Sequence, residues 1–190
     1  MVCPTWVNYA ARRGEVLIRI DPGMAFGTGQ HPTTRLCLEA LESRLRPGHT
    51  VLDVGTGSGI LAIAAALLGA ERVIALDRDP VAVAVAHQNV ATNGVDDRVR
   101  VLEGSLSAVA PLPGQDAPRF DLVLANISSA GIVEMAPDLA HALAPGGTLV
   151  ASGISEPSVE TCRDTLEKAG LRLLERMDRE GWCALVCAQP

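Results

Sequence analysis

Residues 51–59, VLDVGTGSG, constrain this chain more than any other segment. The short apolar run at 50–54 gives way to glycines at positions 55, 57 and 59. Residues 60–69 then read as an alanine- and leucine-rich helix that ends at a glycine. Strand, glycine loop and helix in that order let the backbone approach a ligand closely and aim helix N–H groups at its negative end. A second apolar run, Val73-Ile74-Ala75-Leu76, ends in Asp77, 18 residues past Gly59. A carboxylate there can accept hydrogen bonds from both hydroxyls of a ribose. Together these features specify a site for an adenosine-containing cofactor.

The spacing discriminates among such cofactors. A dinucleotide fingerprint reads G-x-G-x-x-G, the third glycine allowing close helix–strand packing and the helix end receiving a pyrophosphate. Here Gly55, Gly57 and Gly59 give G-x-G-x-G, and Ile60 stands where the third dinucleotide glycine would fall. Asp53 places a negative charge at the mouth of the loop, unfavourable to a pyrophosphate and useful opposite a cation. S-adenosylmethionine (S-adenosyl-L-methionine) carries a ribose, a sulfonium and an amino-acid end, and no phosphate. These residues therefore favour it over a nicotinamide dinucleotide.

At 190 residues the chain is expected to form one core. Acidic residues outnumber basic ones 22 to 16, aromatics are 3%, and no basic stripe interleaves with aromatics, so no direct nucleic-acid binding is expected. A modestly acidic surface suits a basic partner such as a ribosomal protein. Five cysteines without a C-x-x-C pair indicate a reducing compartment. Cys183 and Cys187 fall four apart on one predicted strand, on the same face and too far along it to bridge. The sequence shows neither a signal peptide nor an apolar run long enough to span a membrane, and a cytoplasmic location is expected.

Helix and strand patterns alternate from the glycine loop onward. Strands are expected near 50–54, 72–77, 98–103, 120–125, 147–152, 171–177 and 182–188. Helices are expected near 32–45, 60–68, 80–93, 131–144 and 156–169, with a weak one after Ser105. Pro80 opens one helix and Gly94 closes it. Pro145-Gly146-Gly147 reads as a turn feeding the fifth strand. Units of this size imply an α/β fold: a Rossmann-like, seven-stranded, mostly parallel sheet with helices on both faces. Only a few residues around Glu180-Gly181 join the last two strands, too short for a crossover, so the last strand must return antiparallel.

Before the first helix lies DPGMAFGTGQHPTT, residues 21–34, with three glycines and two prolines. Such a loop carries many backbone N–H groups and can cover a ligand. Phe26 and Thr28 within it are candidate cofactor contacts. Pro32 and Thr33 suit the first turn of a helix, with Thr34 aiming its hydroxyl at that helix's N-terminus. His31 reads either as a substrate contact or as a structural hydrogen-bond partner. In open parallel sheets the ligand crevice lies where strand order reverses. Asn126, after the fourth strand, should thus face the cofactor across from Gly55, its carboxamide able to accept from an amine and orient it. Asn126 is the candidate catalytic residue, with a turn role as the alternative. Ser105, after the third strand, is placed either near the adenine or as a helix cap. Asn126-Ile127-Ser128-Ser129 lacks the proline and aromatic that stack a flipped base, so base methylation is not expected. No histidine pair has metal-ligand spacing, and no metal site is expected.

Four segments carry a family resemblance: DPGMAFGTGQHPTT, LDVGTGSGILAIAAALLGA, LANI and the closing GWCALV. In that order they resemble the bacterial ribosomal protein methyltransferase family PrmA, from about Pro4 to the C-terminus. The resemblance implies a class I methyltransferase fold and S-adenosylmethionine-dependent methylation of amino groups, mainly lysines, of a large-subunit ribosomal protein. By motif matching it implies cofactor contacts at Thr34, Gly55, Asp77 and Asn126. It also implies an N-terminal substrate-gripping domain, of which residues 1–6 resemble the linker. Residues 1–30 then read as linker plus glycine-rich cofactor loop, and 31–190 as the methyltransferase domain. Ser128 and Ser129 depart from the apolar or small residues usual after Asn-Ile. The rival readings are a cofactor-binding module without catalysis, a methyltransferase acting on another protein or a small molecule, and a nicotinamide oxidoreductase. The last is disfavoured by the missing third glycine and by Asp53.

Overall fold

The computed structural model describes residues 1–21, 27–109 and 118–190. In chain order the elements are β1 (Val2–Pro4), β2 (Ile18–Ile20), α1 (Pro32–Arg44), β3 (Thr50–Val54), α2 (Ile60–Leu67), β4 (Arg72–Asp77), α3 (Pro80–Thr92), β5 (Val99–Glu103), β6 (Phe120–Asn126), α4 (Ser129–His141), β7 (Leu143–Ser155), α5 (Val159–Lys168), β8 (Arg172–Arg179) and β9 (Trp182–Ala188). Strands β3 to β9 make one sheet in the order β5-β4-β3-β6-β7-β9-β8. Every neighbouring pair is parallel except those made by β9, which is antiparallel to both β7 and β8. The expected seven-stranded α/β sheet with an antiparallel last strand is therefore present.

Both faces of the sheet are covered, and the period-2 alternation of the strands assigns the residues. Val51, Val73, Ala75, Leu122, Leu124 and Val150 join one core with α1, α2 and α3. Leu52, Val54, Leu76, Val123, Ala125 and Leu149 join the other with α4 and α5. Helix α3 starts at Pro80, capped by Asp79 accepting from the Val81 N–H, and ends at Thr92, just before the positive-φ Gly94. Strand β9 is buried along nearly its whole length, whereas β8, RLLERMDR, is mostly exposed. A charged edge strand outside an apolar one protects the sheet from pairing with other chains. The hairpin joining them turns at Glu180 and Gly181, both with positive φ, which matches the twist of the flanking strands.

Several boundaries differ from the sequence expectation. Strand β7 starts at Leu143, which pairs with Phe120. Residues 144–147 then bulge out before Thr148 resumes the ladder opposite Leu122. The expected Pro-Gly-Gly turn is thus a loop inside one strand. Helix α4 begins two residues early because Ser128 caps it, accepting from the Gly131 N–H. A 3-10 turn (Glu156–Ser158) precedes α5, and another (Leu106–Val109) stands where a weak helix was expected. The sequence reading had no strands before residue 50. The structure pairs β1 with β2 in parallel, and Ile18 and Ile20 belong to the core.

All five cysteines are free and buried. Burial pushes the thiols of Cys37 and Cys187 up to about 12. Among the described residues no helix is long and apolar enough to cross a membrane. Phe120 is fully buried in the core beneath α4. Phe120→Ala should therefore lower the unfolding free energy by about 3–5 kcal/mol, read from a urea titration followed by circular dichroism.

Candidate active site

Strand order reverses between β3 and β6, whose chains leave the sheet in opposite directions along it. The register sets Val54 beside both Leu76 and Ala125, and Asn126 beside Ser152. Asp77, Asp53, Asn126 and Ser152 share the parity of the residues facing α1 and α2. At their carboxyl ends, four adjacent strands therefore present a row of polar side chains to the same helices. Two of them reach the start of α1: Asn126 Nδ2 lies 3.5 Å from Thr34 Oγ1, and Ser152 Oγ donates to Thr33 O at 3.2 Å. Thr34 is fully buried. Its hydroxyl meets Asn126, and His31 is the helix cap, accepting from the Thr33 N–H. That corrects the expectation for the Thr34 hydroxyl.

The glycine loop is tied to the strand beside it. Gly55 and Thr56 both donate N–H groups to Leu76 O at 2.9 Å. Gly57 N donates to Asp77 Oδ2 at 2.8 Å, and Asp79 N to Asp77 Oδ1 at 3.0 Å. All three glycines have positive φ, so a side chain at any of them would be strained. A Cβ at Gly59 would stand 3.3 Å from Ala86 Cβ on α3, so Gly59 provides close packing between helices. Asp77 is thus partly committed to the backbone, yet an ionised carboxylate has about four acceptor positions, leaving two for ribose hydroxyls.

Asp53 is fully buried, not a charge displayed at the mouth of the loop as the sequence reading placed it. Its Oδ2 accepts from Thr56 Oγ1 at 2.6 Å, and among the described residues Oδ1 has no hydrogen-bond partner. Burial raises its carboxyl to about 6, against the opposing pull of the Thr56 hydroxyl and the Ala62 amide. The parity of β3 explains the burial: Asp53 follows Val51 onto the face that α1 and α2 cover.

Ile127, next after Asn126, divides the site. Added Cβ atoms would meet its side chain at Gly55 (2.5 Å) and Gly131 (3.1 Å), and its carbonyl oxygen at Gly153. Three glycines from β3's end, α4 and β7 thus make the space that Ile127 occupies. On one side lies a cavity of about 250 Å³ lined by Gly55, Asp77, Gly104, Ser105 and Met135 among others. On the other lies one of about 650 Å³ lined by His31, Asn126, Ser129, Ser155 and Trp182 among others. Ile127 and Ser128 line both. The His31 and Trp182 rings meet edge to face with centroids 5.1 Å apart, and His31 Nδ1 lies 2.8 Å from Thr33 Oγ1. His31 thus both caps α1 and faces the larger cavity.

Ser105 lines the smaller cavity; its Oγ accepts from Arg78, and its carbonyl accepts from Ala108 in the following 3-10 turn. Thr28 is exposed, its hydroxyl accepting from the Gln30 N–H. Phe26 lies outside the described residues.

Known proteins share this chain's pattern. Residues 1–190 match the family described as Ribosomal protein L11 methyltransferase (PrmA). The chain belongs to that family. A ribosomal protein L11 methyltransferase of Chloroflexus aurantiacus is 47% identical over 208 residues, which cover 100% of this chain and 63% of that protein. One from Pelotomaculum thermopropionicum is 51% identical, covering 97% and 58%. The chain therefore spans about three-fifths of the length of these relatives. A crystal structure of a ribosomal protein L11 methylase from Lactobacillus delbrueckii subsp. bulgaricus superposes with a TM-score of 0.88 at 34% identity, over 99% of this chain and 93% of that one.

The PrmA resemblance pointed to Thr34, Gly55, Asp77 and Asn126, and the structure gathers all four around β3, β4 and β6. Sequence reasoning missed Ser152 and Trp182. Ser152 had no signal beyond its residue type, since register alone sets it beside Asn126. Trp182 had one, as one of only two tryptophans.

Asp53→Asn tests the buried carboxyl. An acid whose folded pKa is raised from 3.8 to about 6 stabilises the fold fully only below its unfolded pKa. That stability is lost as pH rises through about 4 to 6. At pH 7 the variant should therefore be more stable than the parent by about 1–3 kcal/mol, with a flatter stability profile between pH 4 and 6 in urea titrations.

Proposed function

We propose that this chain carries the methyl-transfer site of an S-adenosylmethionine-dependent enzyme acting on amino groups, lysines foremost, of ribosomal protein L11. One observation carries the reading: two cavities, one flanked by the ribose-type carboxylate and glycine loop and the other by Asn126, share Ile127 and Ser128 in their walls. A cofactor in the first and an amine in the second would meet at that ridge.

The residues fit the cofactor. Asp77 has acceptor positions to spare for a ribose, Ser105 lines the same cavity for the adenine side, and the glycines admit a close backbone approach. Asp53 Oδ1 is an orphaned buried acceptor that a cationic α-amino group, directly or through water, would complete. When bound, S-adenosylmethionine supplies an electrophilic methyl group whose C–S bonding pair stays on sulfur as the C–N bond forms. Because that leaving group becomes neutral, no general acid is needed. A lysine must arrive as the neutral amine, and a partly apolar cavity walled by Trp182 and Ile127 favours that form by disfavouring charge. Asn126 donates towards Thr34, which leaves Oδ1 to accept from the amine and aim its lone pair at the methyl carbon. The proton lost from nitrogen leaves to solvent through the open cavity. Thr28 and Phe26 fall in the loop we assign to the cofactor side, with residues 1–30 as linker and loop and 31–190 as the catalytic domain.

Calorimetry with S-adenosylmethionine, followed by transfer of radiolabelled methyl to purified ribosomal protein L11, tests this. Binding and labelling are expected; binding without labelling of any protein would favour a non-catalytic module, and a larger thermal shift with NAD would overturn the cofactor. Each ribose hydroxyl bonded to Asp77 contributes about 1.5–3 kcal/mol, so Asp77→Ala should weaken cofactor binding by roughly tenfold to several hundredfold. Asn126→Ala should reduce kcat by more than its effect on cofactor affinity, and parental turnover would reduce Asn126 to a turn residue.

A further inference from the structure

Asn89 on α3 and Asn93, the residue capping the end of that helix, stand one turn apart, and each acts on β2 and its extension as a neighbouring strand would. Asn93 accepts from the Arg19 N–H at 2.8 Å and donates to Arg19 O at 2.7 Å. Asn89 accepts from the Asp21 N–H at 3.0 Å and donates to Asp21 O at 3.0 Å. The match is geometric: four helical residues rise about 6 Å, and two strand residues advance about 6.6 Å. Side chains at i and i+4 therefore meet successive outward-facing peptide groups of the strand.

Beyond this shared role the two differ. The remaining donor bond of Asn93 goes to Asn89 O in its own helix. Asn89 is 1% exposed, and Nδ2 also donates to Ser58 O at 2.9 Å, inside the glycine loop. Ser58, itself fully buried, donates Oγ to Gly27 O at 2.7 Å. One carboxamide thus joins three pieces of backbone: Asp21 at the start of the 21–34 loop, Ser58 between Gly57 and Gly59, and, through Ser58, Gly27 on the way into α1. Gly57 is the residue held by Asp77, and α1 begins with the threonines that reach Asn126 and Ser152.

We propose that Asn89 is a positioning residue for the cofactor, setting the glycine loop in register with Asp21 and Gly27 through its carboxamide and Ser58. Asn93 makes the same paired bonds to the strand but does not touch the loop, so its contribution is to stability alone. The role rests on the S-adenosylmethionine reading of the site, and the test separates the two.

S-adenosylhomocysteine is titrated calorimetrically into the full chain and into Asn89→Ala, Asn93→Ala and Ser58→Ala, with the urea midpoint of each measured in parallel. No binding by the unmodified chain would remove the cofactor reading and this role with it. Given binding, Asn89→Ala should weaken affinity tenfold or more, while Asn93→Ala, with a comparable loss of urea midpoint, should stay within twofold. Ser58→Ala, which cuts the tie to Gly27 and leaves Asn89 in place, should weaken affinity severalfold, and carries the test alone should Asn89→Ala not fold. Equal affinity losses in Asn89→Ala and Asn93→Ala, or parental affinity in Ser58→Ala, would make Asn89 a structural residue only.

Discussion

The pairing of β3 with β6 is the contact on which the site depends. These parallel strands are adjacent in the sheet but separated in sequence by β4, β5 and three crossovers, and the direction of winding reverses between them. Loops leaving their carboxyl ends diverge to opposite sides, and a crevice opens without any side chain being removed. The glycine loop leaves β3 and Asn126-Ile127 leaves β6, so a tight backbone turn and a carboxamide come to flank one space. Ile127 reaches back across the pairing because Gly55, Gly131 and Gly153 carry no side chains to oppose it. A ridge thus forms between two cavities from an ordinary aliphatic residue.

The site is stiff where it holds backbone and costly where it holds charge. Asp77 spends part of its carboxylate on the N–H groups of Gly57 and Asp79, so any ligand bonded to it meets a preset loop. Asp53 is the reverse case. It is buried with one oxygen unpartnered, and burial raises its carboxyl to about 6. An ionised carboxylate so placed costs stability, and the fold carries that cost directly beneath the glycine loop.

Much of the fold was legible in sequence because the strands are short apolar runs set off by glycine and proline, and their type does not depend on partners. The two-residue hairpin at Glu180-Gly181 allowed one outcome only. Boundaries failed where a local pattern was ambiguous. Residues 143–155 read as the end of a helix, a turn and a strand ending near 152, because nothing local to Pro145-Gly146-Gly147 shows that Leu143 pairs with Phe120. Strands β1 and β2, three residues each, are too short to leave a periodic signal.

By itself the sequence determined the cofactor-type loop, the carboxylate ending the second strand of the main sheet, and the alternation that makes a parallel sheet buried on both faces. These follow from local spacing, which the chain carries wherever it folds. Tertiary structure alone decided that Asp53 is hidden, that Ser152 stands beside Asn126, that β9 lies inside the sheet, and that Asn89 grips both Asp21 and Ser58. Each of these depends on register and on which helix face meets which strand edge. Such choices are made by packing between residues tens of positions apart, and no spacing in the sequence encodes them.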